Sequence, residues 1–251
     1  MKAIILAAGV GSRLYGDDGK QPPKSLLRFE GKTLMQRHVE SLQSLGIESL
    51  TLVIGYRHEE ILAEAQSHSR EGFLQSIYNP RFRNGPVVSL WEARETLLSG
   101  ESVLFMDADV LYPLEMLSRL INSPHETCFL FDENFEDTDE PVRLCMREGV
   151  PVEFGKNIKG TFDLVGEWPG FLKLSPSMAA KLVDRLQTYI DRELLDEAYE
   201  PAMRELILSE PPENFGVEDI TGLPWIEIDF PEDLKRAANV ILPGIQQSNS
   251  P

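Results

Sequence analysis

The 251-residue sequence has little cysteine, few aromatic residues and no long apolar run. Its two cysteines, Cys128 and Cys145, belong to no Cys-x-x-Cys or Cys/His cluster, which argues against a disulfide framework and a zinc site. No apolar stretch approaches the roughly 20 residues that a membrane span needs. The apolar start of the chain leads into a glycine loop with an arginine and not into a small-residue cleavage site, so we expect a cytoplasmic protein.

Positive charge is also scarce, because 24 Lys and Arg stand against 41 Asp and Glu, a formal net charge of −17. This excess would repel a nucleic-acid backbone and an anionic membrane surface, so neither is an expected partner. A phosphorylated ligand would need donors or metal ions arranged locally. The hydrophobic fraction of 42% is ordinary for a globular protein, and the length fits one large α/β domain.

Predicted strands and helices alternate through the first half of the chain. Residues 2–7 form a continuous apolar run typical of a buried parallel strand, and residues 34–45 carry apolar positions at helical spacing. The same patterns predict strands at 49–54, 74–78, 102–106 and 127–131, and helices at 58–68, 87–98 and 113–122. This alternation predicts an α/β fold with a mostly parallel sheet covered by helices on both faces.

The second half departs from this repeat. An acidic stretch at residues 132–140 precedes two predicted strands that turn at Glu148-Gly149. Further strands are predicted at 166–174 and 225–228, and helices at 176–190, 192–208 and 232–241. We expect a single domain over residues 1–243 with an elaboration at about 132–215, and a disordered polar tail at 244–251. Exposed helical faces would permit a homodimer without requiring one.

A glycine loop follows the first predicted strand. Gly9 and Gly11 precede Ser12 and Arg13, at the sheet edge where α/β proteins bind ligands. Glycine lets backbone amides approach phosphate oxygens, and Arg13 adds charged donors. The loop lacks the third glycine of a dinucleotide fingerprint and the Gly-Lys-Ser/Thr of a P-loop, which leaves another kind of phosphate site or a plain tight turn.

Two short motifs follow this loop, Pro22-Pro23-Lys24 and Gly31-Lys32. In this order, GxGxRL, Pro-Lys and Gly-Lys resemble the N-terminal signature of the nucleotidyltransferase (pyrophosphorylase) family. Later landmarks extend the resemblance over nearly the whole chain, namely Val53-Ile54-Gly55-Tyr56-Arg57, Asn79-Pro80, Asp107, Asp109 and Glu227-Ile228-Asp229. The size and the closing segment look most like the small cytidylyltransferases that activate phosphocholine, aminoalkyl phosphonates or similar compounds. The resemblance implies a Rossmann-like αβα fold of the GT-A type.

The resemblance also implies transfer of a cytidylyl group from CTP to a small phosphorylated alcohol or phosphonate, with Mg²⁺ as cofactor and pyrophosphate as product. Lys24 and Arg13 are then the expected catalytic residues, although Lys24 could be a solvated lysine after a turn. The expected nucleotide-binding residues are Leu6, Ala8, Gly9, Gly11, Ser12, Arg13, Gly55, Tyr56, Asn84, Gly85 and Ser89. Small cytidylyltransferases often have a pair of Asn residues before the Ser that corresponds to Ser89, and here Gly85-Pro86 replaces part of that pattern. CTP is therefore expected from the resemblance to this branch, and not from residues that identify the base.

Aspartates that end two predicted strands are the expected metal ligands. Asp107 and Asp229 resemble the family ligands, and Asp109 is a weaker candidate. Either Asp109 or Asp229 could instead cap the helix that follows it.

The expected acceptor-binding residues are Glu167, Trp168, Tyr199 and Glu200, because a carboxylate beside an aromatic ring suits a cationic amine. Trp168 could equally be a packing residue. The acidic balance of the chain favours an amine-bearing acceptor over a plain sugar phosphate. The four histidines, at positions 38, 58, 68 and 125, share no spacing and are assigned no catalytic role.

Three other functions stay open. A sugar-1-phosphate nucleotidylyltransferase is the nearest. A metal-dependent glycosyltransferase would use Asp107-Ala108-Asp109 as its DxD motif, which leaves Arg13 and Lys24 unexplained. A non-catalytic nucleotide sensor is disfavoured by the presence of Lys24, Asp107 and Asp229 together.

Overall fold

The computed structural model describes residues 1–16, 20–136 and 138–248, without the side chain of residue 248. The strands are β1 (Lys2–Ala7), β2 (Arg28–Phe29), β3 (Lys32–Thr33), β4 (Ser49–Ile54), β5 (Leu74–Tyr78), β6 (Val103–Asp107), β7 (Val110–Leu111), β8 (Cys128–Phe131), β9 (Arg143–Arg147), β10 (Val150–Gly155), β11 (Leu164–Glu167), β12 (Phe171–Leu174), β13 (Gly216–Asp219) and β14 (Ile226–Glu227). The α-helices are α1 (Ser12–Tyr15), α2 (Leu34–Ser44), α3 (His58–His68), α4 (Pro86–Glu92), α5 (Arg94–Leu97), α6 (Leu114–Asn122), α7 (Pro176–Asp191), α8 (Glu200–Ser209), α9 (Pro231–Arg236) and α10 (Leu242–Ser248).

Seven strands of the described residues form the central sheet, in the spatial order β13-β8-β12-β6-β1-β4-β5. Only β12 runs antiparallel to its neighbours in this sheet. The mostly parallel, mixed sheet predicted from the alternation of elements is therefore confirmed. Because β1 and β6 are adjacent and parallel, the glycine loop after β1 and the aspartates at the end of β6 reach the same edge of the sheet.

Helices bury both faces of this sheet. Along β1, Ile4 belongs to one apolar cluster while Ala3 and Ile5 belong to another, as the alternation of side chains along a strand requires. The cluster around Ile4 contains residues of α4, α5, α7 and α8, and the other contains residues of α2, α3 and α6. The structure is therefore a three-layer αβα domain. No helix in the described part of the chain is both long enough and apolar enough to cross a membrane.

The second half adds a small three-stranded antiparallel sheet in the order β10-β9-β11. The strand predicted over residues 166–174 is two strands in different sheets, separated at Gly170, whose φ is +82°. The helix predicted from residue 192 begins only at Glu200, with Pro201 in its first turn. Proline lacks the amide hydrogen that a preceding helical turn would need, so the helix starts there.

The C-terminal segment is more ordered than its polar composition suggests. The predicted helix at 232–241 comprises α9 and a π-helical segment, Ala237–Ile241, which leads directly into α10. Residues 244–248, predicted to be disordered, are therefore helical. Leu242 and Ile245 are buried in an apolar cluster that also contains Leu14 and Phe29, so two spaced apolar residues suffice to pack this segment. Residues 249–251 lie outside the described residues.

Candidate active site

The glycine loop and the end of β6 border an open cavity of about 640 Å³. Most of the residues predicted to bind nucleotide, metal or acceptor line it, namely Leu6, Ala8, Gly9, Gly11, Ser12, Arg13, Lys24, Asn84, Ser89, Asp107, Asp109, Trp168, Tyr199 and Glu200. Residues from three distant parts of the sequence therefore meet at one sheet edge.

Three predicted nucleotide contacts lie behind the wall of this cavity. Tyr56 is buried, and its hydroxyl donates to the carbonyl of Gln21, three residues before Lys24. Gly55 packs against Phe82, where an added Cβ would lie 2.3 Å from the Phe82 Cβ. The amide of Gly85 donates to the carbonyl of Leu195. These residues support the lining of the cavity and do not form it.

Lys24 is the cation at the centre of the site. Its Nζ lies 2.9 Å from Asp109 Oδ2 and 2.5 Å from Asp229 Oδ1. Burial acts to lower the pKa of Lys24, but the two carboxylates outweigh it and hold the pKa above its ordinary value. Arg13 Nη1 lies 3.0 Å from Asp229 Oδ2, so two cations from the signature converge on one aspartate. Lys24 is thus not a solvated turn residue.

Asp109, Glu227 and Asp229 bring ligand oxygens within 4.8 Å of one another. The short β7–β14 pairing places Val110 opposite Glu227, and the amide of Ile228 donates to the carbonyl of Asp109. Burial, together with Asp109 and Asp229, raises the pKa of Glu227 well above its ordinary value. A group of hard oxygen donors this crowded fits a divalent cation such as Mg²⁺.

The structure does not support the alternative that Asp109 or Asp229 caps the helix that follows it. Asp233 Oδ2 accepts from the amides of Asp229 and Phe230, so the carboxylate of Asp233, and not that of Asp229, caps the start of α9. Helix α6 begins after Pro113, and the Asp109 carboxylate contacts Lys24 instead. Glu227 was not predicted as a site residue. Glu227 lies on the strand predicted at 225–228, two residues before Asp229, and that spacing was the available signal.

Asp107 has a different environment from the other predicted metal ligands. The Tyr199 hydroxyl donates to its Oδ2, and its carboxylate does not belong to the group formed by Asp109, Glu227 and Asp229. Burial and the neighbouring Asp109 raise the pKa of Asp107 well above its ordinary value, while the bond from Tyr199 opposes that rise. Asp107 is therefore a half-buried, hydrogen-bonded carboxyl group that lines the cavity.

Gly170 leaves room for the Asp107 side chain. An added Cβ there would lie 2.6 Å from Asp107 Oδ2, and its φ is +82°. We expect Gly170→Ala to displace the carboxylate and lower turnover by about 100-fold, as misplacement near reacting atoms does. Gly149→Ala is the matched control, because Gly149 has a φ of +80° and no atom within 4 Å of an added Cβ.

Thermal unfolding and pyrophosphate release of both variants test this expectation. Both should lose about 1–2 kcal/mol of stability from the left-handed backbone, but only Gly170→Ala should lose activity. Equal activity in the two variants would show that the space beside Asp107 is unimportant.

The predicted acceptor residues are divided between two cavities. Trp168 is a core residue, since it is 3% exposed and its Nε1 donates to the Phe171 carbonyl at 2.7 Å, although it also reaches the first cavity. Glu200 lines the same cavity, and its Oε2 is buried with no hydrogen-bond partner among the described residues. Burial raises the pKa of Glu200.

Glu167 lines a second cavity of about 740 Å³, which shares Glu140 and Glu227 with the first and is also lined by Asp229. Strand β11 ends at Glu167, and the next residue, Trp168, packs into the apolar core, so the two side chains line different cavities and do not form one cage. The second cavity also contains the rings of Phe135, Trp225 and Phe230. Burial, assisted by the Asp132 carboxylate, raises the pKa of Glu167 to about 7.

The raised pKa of Glu167 makes folding stability depend on pH. The ordinary pKa is 4.5 and the folded value about 7, so the folded protein holds this proton over a range in which the unfolded chain has released it. The stability due to protonated Glu167 is fully present below pH 4.5 and is lost as the pH rises through about 7. We expect Glu167→Gln to become more stable than the wild type above pH 7.

Chemical denaturation at several pH values measures this effect. The exposed Glu213, replaced by Gln, serves as the control and should follow the wild type throughout. A Glu167→Gln profile parallel to the wild type at every pH would contradict the raised pKa.

Several residues of the site were not predicted. Glu140 Oε2 lies 3.2 Å from Arg13 Nη1 and 3.5 Å from Lys156 Nζ, which brings a third cation to the cavity. The fully buried Asn79 donates to Ser89 Oγ at 3.0 Å and so fixes a predicted nucleotide contact. Glu140 and Lys156 belong to the elaboration predicted at about residues 132–215, where no local sequence pattern indicates that they reach the site. Asn79 was part of the family resemblance, in Asn79-Pro80, but no role was predicted for it.

Comparisons with known proteins agree with this geometry. Residues 3–153 match the MobA-like NTP transferase domain. The CTP:phosphoglutamine cytidylyltransferase of Campylobacter jejuni is 25% identical over 255 residues, which cover 94% of this chain and 98% of that protein. The CMP-5'-(3-aminopropyl)phosphonate synthase of Streptomyces rubellomurinus is 25% identical over 247 residues, covering 94% of this chain but only 38% of that protein.

The fold has solved counterparts as well. The structure of the inositol-1-phosphate CTP transferase from T. maritima superposes with a TM-score of 0.76 at 19% identity, covering 100% of this chain and 98% of that one. The Rossmann-like nucleotidyltransferase fold implied by the signature is thus confirmed. The chain belongs to the MobA-like NTP transferase domain family and is a nucleotidyltransferase.

Proposed function

We propose that this protein is a Mg²⁺-dependent cytidylyltransferase that transfers CMP from CTP to a small amine-bearing phosphate or phosphonate, such as phosphocholine or 2-aminoethylphosphonate, and releases pyrophosphate. The observation that carries the proposal is the position of Lys24 between Asp109 and Asp229, at the mouth of the glycine loop. Both relatives named above act with cytidine nucleotides, and one forms an aminoalkyl phosphonate product.

The nucleotide is assigned to the first cavity. Backbone amides of the glycine loop and the Arg13 guanidinium bind the β- and γ-phosphates, because both are donors that a polyanion needs in an otherwise acidic chain. Asn84 and Ser89 line the opposite part of the cavity, and we assign the base to them. Ser89 is held by Asn79, which gives the base a fixed partner.

The divalent cation is assigned to the carboxylates at the sheet edge. Asp109, Glu227 and Asp229 would hold it, with Asp107 two residues from Asp109. When bound, the cation neutralises phosphate charge and assists departure of pyrophosphate. Lys24 must then exchange at least part of its contact with these carboxylates for contact with phosphate oxygens.

The reaction needs no protein nucleophile. An anionic oxygen of the acceptor forms a bond to the α-phosphorus of CTP, and the bond from that phosphorus to the bridging oxygen of pyrophosphate breaks. Lys24 binds the α-phosphate and the incoming oxygen, where its charge counts most as negative charge concentrates. Arg13 stabilises the departing pyrophosphate. The protein thus brings two polyanions together and keeps them in line.

The acceptor is assigned to the part of the first cavity that is lined by residues of the second half of the chain. Glu200 offers an unpaired carboxylate oxygen there, with Trp168 and Tyr199 beside it in the cavity. Glu167 contributes from the second cavity, which opens beside Asp229. Carboxylates and aromatic rings together favour a cationic amine. A sugar-1-phosphate nucleotidylyltransferase is the second candidate, since the phosphate-binding half would serve either acceptor.

A substrate screen tests the proposal. Pyrophosphate release would be measured for each of four nucleoside triphosphates with phosphocholine, 2-aminoethylphosphonate or glucose 1-phosphate, in Mg²⁺ and again in EDTA. We expect activity with CTP and an amine-bearing acceptor, and none in EDTA. Preference for glucose 1-phosphate would select the second candidate. No release from any pair with Mg²⁺ would overturn the enzymatic assignment.

A further inference from the structure

We propose that His38, to which the sequence assigned no role, is a positioning residue that fixes the Asp107-Ala108-Asp109 turn and so places the cation-binding carboxylates. The inference concerns the cation site assigned above and in that respect rests on the proposed function. His38 touches no carboxylate of the site. It acts through the backbone of Ala108.

The imidazole of His38 is bound at both nitrogens. It is 0% exposed, its Nε2 lies 3.1 Å from the Ala108 carbonyl oxygen, and its Nδ1 lies 3.1 Å from the Tyr112 hydroxyl. A carbonyl oxygen only accepts, so Nε2 carries the hydrogen and donates. Nδ1 must then accept from the Tyr112 hydroxyl. Burial lowers the pKa of His38 to about 4, which keeps this neutral tautomer in place near neutral pH.

The Ala108 carbonyl belongs to the peptide that joins Ala108 to Asp109. Holding the plane of that peptide, together with the hydrogen bond that the Asp109 carbonyl accepts from Ile228, restricts the direction in which the Asp109 side chain leaves the backbone. The two flanking residues are tied to strands, because the Asp107 amide donates to the Gly170 carbonyl and the Asp109 carbonyl accepts from the Ile228 amide. Between these two residues, His38 on helix α2 donates a hydrogen bond to the Ala108 carbonyl.

The support beneath His38 is rigid. Its ring stacks on Tyr112 with centroids 5.4 Å apart and planes 26° apart. Tyr112 in turn packs edge-on against Phe171, with centroids 4.9 Å apart. Because β12 begins at Phe171, directly after Gly170, the imidazole and the glycine that borders Asp107 belong to one packed unit. Losing the hydrogen bond to Ala108 would leave a buried carbonyl unpaired in that unit.

Mn²⁺ binding to the full chain, followed by the electron paramagnetic resonance signal of the free ion, tests this role without requiring turnover. His38→Leu removes the donor, and His38→Gln restores one. We expect His38→Leu to weaken Mn²⁺ binding by about 10-fold, in the range seen when groups that orient metal ligands are lost. His38→Gln should bind Mn²⁺ within about threefold of the wild type, because Gln can again donate to Ala108.

Val39→Ala is the matched control, since Val39 is equally buried on the same helix and only its packing is lost. It should lose stability but keep Mn²⁺ affinity. If His38→Leu does not fold, Tyr112→Phe replaces it and should weaken Mn²⁺ binding in the same direction. Unchanged Mn²⁺ affinity in a folded His38→Leu or Tyr112→Phe variant, or no Mn²⁺ binding by the wild type, would overturn the inference. Mn²⁺ binding as expected without CTP turnover would overturn only the proposed function.

Discussion

Replacing Lys24 by Met is expected to lower kcat for pyrophosphate release by about 10²- to 10³-fold, the usual cost of removing one charged or polar donor from a developing phosphate or oxyanion. The physical reason is the position of the ammonium group. It is held next to Asp109 and Asp229, where the acceptor oxygen and the α-phosphate are proposed to meet. Methionine preserves the apolar stem and removes only the charge and its hydrogen bonds.

Lys24→Met should have the opposite effect on cation binding. In the wild type the ammonium neutralises the same carboxylates that would hold Mg²⁺, so its loss leaves them more strongly negative. We expect Mn²⁺ affinity to be retained or increased while turnover falls. This combination separates loss of chemistry from loss of the site.

Lys235→Met is the matched control for Lys24, because Lys235 is an exposed lysine on α9, remote in sequence from the signature. It should retain wild-type turnover. If Lys24→Met also retains turnover within a factor of two or three, the lysine is structural and the mechanism proposed above is wrong.

Replacing Asp229 by Asn or Asp107 by Ala is expected to reduce turnover by about 1,000-fold or more, because a bound cation supplies several kcal/mol of charge stabilisation and each 1.36 kcal/mol is tenfold in rate. Asp229 contacts both Lys24 and Arg13 and belongs to the carboxylate group. Asp107 ends β6, half-buried, and its carboxylate accepts a hydrogen bond from Tyr199.

Mn²⁺ titration distinguishes the roles of these carboxylates. Asp229→Asn should lose both turnover and Mn²⁺ affinity, since its oxygen lies within 4.8 Å of those of Asp109 and Glu227. Asp107→Ala should stay folded, as circular dichroism would show, and lose turnover. The Mn²⁺ affinity of Asp107→Ala then shows whether the Asp107 carboxylate, which accepts a hydrogen bond from Tyr199, also binds the cation.

Asp184→Asn controls for the change of charge, because Asp184 is exposed on α7 and belongs to neither cavity. Turnover in this variant should match the wild type. An Asp229→Asn variant with unchanged turnover would remove the proposed cation site, and an unchanged Asp107→Ala variant would remove Asp107 from the machinery.

Elements with strong local signals were predictable from the sequence. The βα repeat gave β1, β4, β5 and β6 to within a residue, because continuous apolar runs bounded by turn residues have few other structures. Strand β13 was missed, since Gly216–Asp219 is short and acidic and becomes a strand only by pairing with β8. The end of the chain was missed for a similar reason, because the helix at Leu242–Ser248 is stabilised by packing and not by its own propensity.

The site residues also include some that local motifs predicted and others that depend on tertiary packing. Arg13 and Lys24 were predicted because they lie in one short N-terminal signature, and in the structure both contact Asp229. Glu167 and Trp168 were predicted to lie together at the acceptor, whereas in the structure they line different cavities. Gly55 and Tyr56 were placed next to the ligand, whereas packing against Phe82 and Gln21 puts them behind the cavity wall.

The sequence by itself determined the family and the sheet edge at which the candidate site lies, and it predicted Arg13 and Lys24 as the cations of that site, because these depend on short motifs and on the order of strands. Only the tertiary structure decided which carboxylates share one centre, which residues line which cavity, and that His38 supports the turn at Ala108. Those relations join residues from distant parts of the chain. They depend on the distances and directions that packing imposes, and no local pattern encodes them.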